Sequence, residues 1–130
     1  MQDVRLGVMK HRKPSIYDGL TEREFLDSVI ATAHDLGWRV AHFRPAQTEK
    51  GWRTAVQADG VGFPDLIMLK RLSGNNVKCV VAELKSERGK PPTADQIAWL
   101  ELFKDVRQIH VALLKPSDIE SIVIELGGLV

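Results

Sequence analysis

Val77 to Lys85 (VKCVVAELK) is a run of β-branched and apolar residues that ends on a glutamate and a lysine. Such a run reads as a β-strand, in which residues two apart share a face. Glu83 and Lys85 therefore point the same way, roughly 7 Å apart along the backbone. A second run, Asp65 to Lys70 (DLIMLK), opens on an aspartate that follows Pro64. The polar stretch Ser73-Gly74-Asn75-Asn76 joins the two runs, which predicts an antiparallel hairpin. Pairing can bring Asp65 beside Glu83. Neighbouring carboxylates repel unless a hard cation lies between them, and Mg²⁺ takes one or two carboxylates with waters and phosphate oxygens. Alone, Pro-Asp is a common turn dipeptide and Glu-x-Lys a common solvated pair. Their combination at the end of an otherwise apolar strand carries more weight, because buried charges are rare unless paired or metal-bound.

Around this hairpin the chain alternates helix and strand signals. Residues 1–20 look irregular, and residues 21–130 read as one domain, the usual expectation for 130 residues. Thr21-Glu22-Arg23-Glu24 is a capping box. Phe25, Val29, Ile30, Ala33 and Leu36 follow at helical spacing, and Gly37 ends that helix. Trp38 to Phe43 alternates as a strand. Pro45 to Phe63 reads as a long loop, and its Lys50, Trp52 and Arg53 favour a functional one. After the hairpin, Ser86 to Pro92 is a polar loop. Thr93 caps a second helix with Gln96 at the third position, and Ile97, Leu100 and Phe103 form its apolar stripe. Ile109 to Leu114 is a strand. Ser117-Asp118-Ile119-Glu120 reads as a third capping box, opening a last helix through Leu126 that ends at Gly127-Gly128. The order αβββαβα predicts an α/β fold, helices flanking a small mixed sheet, compatible with a restriction-endonuclease-like core.

The 44% apolar content suits one hydrophobic core. No apolar run approaches the roughly 18 residues of a membrane span. The basic N-terminus has no apolar stretch behind it, unlike a secretory signal. Cys79 is the single cysteine and reads as a small core residue, so a cytoplasmic compartment is expected. Net charge is only +1, but residues 91–130 hold three basic and six acidic side chains, so positive charge concentrates upstream. Arg44, Lys50, Arg53, Arg88 and Lys90 flank the proposed site and suit a phosphate backbone. Each is equally compatible with ordinary solvated surface.

Taken in order, the motifs resemble the virus-type replication-repair nuclease (VRR-NUC) domain of the PD-(D/E)xK nuclease superfamily, in its stand-alone phage or prophage form. The resemblance rests on Thr21-Glu22, Gly37-Trp38, Gly62-Phe63-Pro64-Asp65-Leu66, Ala82-Glu83-Leu84-Lys85-Ser86, Gly89-Lys90 and Gln96-Ile97-Ala98-Trp99-Leu100. It extends from about residue 20 to about 120. The stretch 105–108 departs from it, lacking the family's usual glycine turn.

The resemblance implies a Mg²⁺- or Mn²⁺-dependent DNA endonuclease acting on branched DNA such as Holliday junctions, as a homodimer; the lack of a long apolar run adds the expectation of no membrane partner. It implies that Asp65, Glu83 and the Leu84 carbonyl hold the metal. Lys85 would serve the attacking water and the phosphate charge, Gln96 would support the nucleophile, and Glu22 would be the helix acid rather than Glu24. The alternative reading of Gln96 is a helix cap alone. A nuclease for ordinary duplex or single-stranded nucleic acid, and a catalytically silent DNA-binding module, are the alternatives. For the dimer surface, the last helix offers Ile119, Ile122, Val123 and Leu126, followed by Leu129 and Val130, against the alternative that this helix simply packs on the sheet.

Overall fold

The computed structural model describes residues 18–43 and 57–128, with the backbone of 46–48 and 51–53 between them. Helix α1 (Glu22–Asp35) precedes strand β1 (Arg39–His42), and the hairpin β4 (Leu66–Arg71) and β5 (Val77–Leu84) follows. Helix α2 (Ala94–Lys104), strand β6 (Ile109–Leu114) and helix α3 (Ile119–Glu125) complete the order. The four strands form one mixed sheet in the order β1-β4-β5-β6. β1, β4 and β5 run antiparallel in turn, and β6 runs parallel to β5. Parallel neighbours need a long crossover, which α2 supplies. The α/β order expected from the sequence is the one observed.

One expectation is corrected between β1 and β4. Ala46–Thr48 and Gly51–Arg53 pair as a short separate hairpin, β2 and β3, where the sequence reads as continuous loop. Each strand is only three residues, too short for a period-two pattern to register. Arg44 and Lys50, and the side chains of Trp52 and Arg53, lie outside the described residues.

The register assigns a layer to each side chain. Leu66 lies opposite Ala82 and Met68 opposite Val80, so these four share a face. With Leu84, Ala112 and Leu114 they pack against Phe25, Val29 and Ala33 of α1 and against Ile122 of α3 and Leu126 just after it. The opposite face carries Val81 and Glu83, and α2 covers its β6 side. Cys79 is half-buried on that second face, not in the main core. Ile122 and Leu126 are buried, so the last helix packs on the sheet rather than presenting them as a docking surface; Ile124 is its exposed apolar residue. Leu129 and Val130 lie outside the described residues.

Helix ends fix the layers in place. The capping box at Thr21 forms: Glu24 N–H donates to Thr21 Oγ1 and Thr21 N–H to Glu24 Oε1, each at 3.1 Å. At the other end, Gly37 sits at φ +86°. Its N–H donates to His34 O at 3.0 Å and the next, from Trp38, to Ala33 O at 2.9 Å. This is a Schellman motif, and the conformation it demands favours glycine. The expected third capping box does not form. Pro116 starts a 3₁₀ turn that moves the cap to Asp118, whose Oδ2 accepts Lys115 N–H at 2.8 Å. Ser117 N–H donates instead to the buried Glu87 carboxylate at 3.0 Å.

Two lysines in register tie helix C-termini to the sheet. Lys70 and Lys78 face each other on β4 and β5. Lys70 Nζ donates to Leu36 O at 2.7 Å and Lys78 Nζ to Glu125 O at 2.8 Å. A cation is favourable at these partially negative helix ends. Lys70→Ala and Lys78→Ala should each lower unfolding free energy by about 1.5–3 kcal/mol, the range for hydrogen bonds to charged groups. Urea denaturation checks this; midpoints unchanged from the parent would contradict it.

Candidate active site

Asp65 immediately precedes β4, and extending the register from the Leu66–Ala82 pair sets it opposite Glu83. Two bonds fix it there. Leu84 N–H donates to Asp65 Oδ2 at 2.8 Å, and Phe43 N–H donates to Asp65 O at 3.1 Å. Glu83, two residues before Lys85, is 2% exposed. Its Oε1 accepts from Gln96 Nε2 at 3.0 Å and lies 3.6 Å from Lys85 Nζ. Glu22, in the first turn of α1, lies near enough for the charges of Lys85 and Asp65 to act on it. The structure thus brings together Glu22, Asp65, Glu83, Lys85 and Gln96 at one end of the sheet, where α1 and α2 both begin.

Gln96 does two things at once. Its backbone N–H donates to Thr93 Oγ1 at 3.2 Å, and its side-chain Oε1 accepts Thr93 N–H at 2.8 Å. With the oxygen committed to the cap, the amide nitrogen turns toward Glu83. The two sequence readings of Gln96, cap and site residue, describe one side chain in one conformation. Both first-turn acids are exposed; Glu24 is taken up by the first capping box, whereas the charges of Lys85 and Asp65 act on Glu22. Arg88 and Lys90 lie on the exposed loop after β5, and Arg88 pairs with Asp18 at 3.1 Å. His42 is exposed at the end of β1.

Burial governs the electrostatics. Removal from water raises the Asp65 carboxyl, partly offset by the Leu84 N–H and by Lys85. Glu83 is pushed up to about 8, first by burial and then by the Asp65 charge, with Lys85 opposing both. Partial burial also raises Glu22. Without a cation, burial and mutual repulsion both favour keeping a proton on the Asp65–Glu83 pair.

Among the described residues, no group of three or more His, Cys, Asp or Glu side chains is placed to hold a metal. Two carboxylates are, however, the protein share that Mg²⁺ takes when waters and phosphate fill the rest of its shell. Glu83 Oε2 is buried without a hydrogen-bond partner. An acceptor with nothing to accept is what a cation would satisfy, so the donor set fits a hard divalent ion. Comparison with family models, with curated proteins and with solved structures returns no match.

A raised carboxyl makes stability pH-dependent with a defined sign. The unfolded chain ionises Glu83 near its ordinary 4.5, the folded chain near 8. The stability from holding the proton is full below the lower value and lost as pH rises through the upper one. In EDTA, the parent's melting temperature should therefore fall, relative to that of Glu83→Gln, as pH rises across this window. Mg²⁺ should restore the parent most at the alkaline end. Parallel melting curves for the two proteins across the window would show that Glu83 is not held protonated.

Proposed function

We propose that the chain is a divalent-metal-dependent DNA endonuclease of the VRR-NUC type. The observation that supports this most is the buried Glu83 carboxylate, held by Gln96 and Lys85 with one oxygen unpartnered, beside Asp65. A structural ion pair needs no second carboxylate alongside, and two carboxylates together cost stability unless something positive joins them.

In this reading Asp65, Glu83 and the Leu84 carbonyl hold Mg²⁺ or Mn²⁺. The bound ion would supply a lowered water pKa and offset charge on the phosphoryl oxygens. The chain's own groups do the remainder. Leu84 N–H and Phe43 N–H fix Asp65 by its side chain and its backbone respectively. Gln96 orients Glu83 through the amide that Thr93 locks. Lys85, largely buried, holds a positive charge at the site that can orient a water and stabilise charge developing on phosphate. Glu22 at the rim adds an acceptor for a water or a second proton. Lys90, on the exposed loop after β5, would meet the DNA backbone, and Arg88 would do so by exchanging its Asp18 partner for phosphate.

Branched DNA, and four-way junctions in particular, is the proposed substrate, with a homodimer as the acting form. Each chain carries one such site, and paired cuts in a two-fold-symmetric junction require two copies related by the same symmetry. The contact surface must lie elsewhere than Ile122 and Leu126, which the core occupies.

The test is cleavage of labelled four-way junction, flap, duplex and single-stranded DNA with Mg²⁺, Mn²⁺ or EDTA, alongside light scattering. Cutting that requires metal and favours the junction, by a dimer, is expected. Lys85→Ala should abolish cutting and leave DNA affinity near that of the parent, because one lysine is a small part of the phosphate contacts. Normal cutting by Lys85→Ala would remove its assigned role. DNA binding by the parent without cutting under any metal would favour the silent binding module.

A further inference from the structure

Asp65 and Gln96 reach Glu83 from separate elements, one from the loop before β4 and the other from α2. Their meeting depends on how residues 57–64 seat on α2. Two features fix that seat. Gly62 has φ +82°, and a Cβ there would fall 2.6 Å from Asp95 Cβ and 2.8 Å from Gln96 N. The loop backbone therefore rests directly on the helical turn that carries Gln96. One turn further along, the half-buried Trp99 points its indole N–H back into the loop. Nε1 donates to Asp59 O at 3.1 Å and to Val61 O at 3.2 Å. The Phe63 ring meets Trp99 edge-on with centroids 5.0 Å apart, and also meets Phe103 and Phe43. Phe43 in turn supplies the N–H that holds Asp65 O.

We infer that Trp99 is a positioning residue, clamping the 57–64 loop onto α2 so that Asp65 and Gln96 are set on Glu83 together. The functional consequence rests on the nuclease reading; the clamp itself does not. The ring contacts alone are core packing that phenylalanine could supply. The indole N–H is different, because it bonds two loop carbonyls and makes no contribution to the main core on the other face of the sheet. Its loss should loosen the loop and, through Phe63 and Pro64, the attachment of Asp65.

Trp99→Phe keeps an aromatic ring against Phe63 and Phe103 and removes the donor, together with part of the bicyclic ring. Amide hydrogen exchange of the parent and the variant reads the effect without metal or substrate, because Leu84 N–H is bonded to Asp65 Oδ2. Exchange at Leu84 and Phe63 should speed by about tenfold, the scale of one lost hydrogen bond. Exchange at Val81 and Ala112, within the sheet, should be unchanged. In the cleavage assay, kcat should fall by about 10- to 100-fold, the range for groups that orient a site, with KM for DNA unchanged. Unchanged exchange at Leu84 overturns the inference, whatever the activity. If exchange at Val81 and Ala112 also speeds, Trp99 is a general stability element and the inference fails. If the parent neither binds metal nor cuts DNA, the nuclease reading falls, while Leu84 exchange still decides the clamp.

Discussion

A carboxyl buried on a β-sheet next to a second carboxyl is costly, and Glu83 occupies that position. Its neighbours make sense as responses to that cost. Lys85 lies on the same face because strand residues two apart must. Asp65 is opposite because the hairpin register puts it there. Gln96 arrives on a helix whose cap points its amide inward. These groups still leave one Glu83 oxygen without a donor and both acids with raised proton affinity. A proton meets that need in the metal-free protein, and a divalent cation would meet it more fully. On the proposed reading, proton and metal would compete for the same pair, and stability, pH and metal would then be three readings of one site.

The rest of the fold holds that pair at one end of the sheet. The core lies on one face, where α1 and α3 cover β4, β5 and β6. Lys70 and Lys78 fasten the far ends of those helices to the strands. Helix α2 lies on the second face and starts at the site. The structurally demanding interactions and the chemically demanding ones thus sit at opposite ends of β4 and β5, so a change at one end need not disturb the other.

Much of this was legible in the sequence because it depends on local rules. Strand periodicity places Glu83 and Lys85 together, the polar turn at 73–76 sets the hairpin, and capping boxes at Thr21 and Thr93 mark the two long helices. The commitment of Glu24 to its cap was legible in the same way, whereas the choice of Glu22 as the helix acid rested on the family resemblance as well. What escaped depends on contacts between distant segments. The β2–β3 hairpin is too short to show a period. The start of α3 is decided by Pro116 and by Glu87, thirty residues away. The seating of Gly62 on α2 appears in the sequence only as one glycine beside a phenylalanine. Gln96 seemed to require a choice between cap and site, and only the geometry reveals that the cap is what aims it.

The central claim is that Asp65 and Glu83 together hold one divalent cation. Crystals soaked in Mn²⁺ test it most directly, because anomalous scattering locates the ion without reference to activity. A peak within coordination distance of both carboxylates is expected, as is its loss in Asp65→Asn. A peak bound elsewhere, or no peak near these two carboxylates in a crystal that has taken up Mn²⁺, would contradict that assignment.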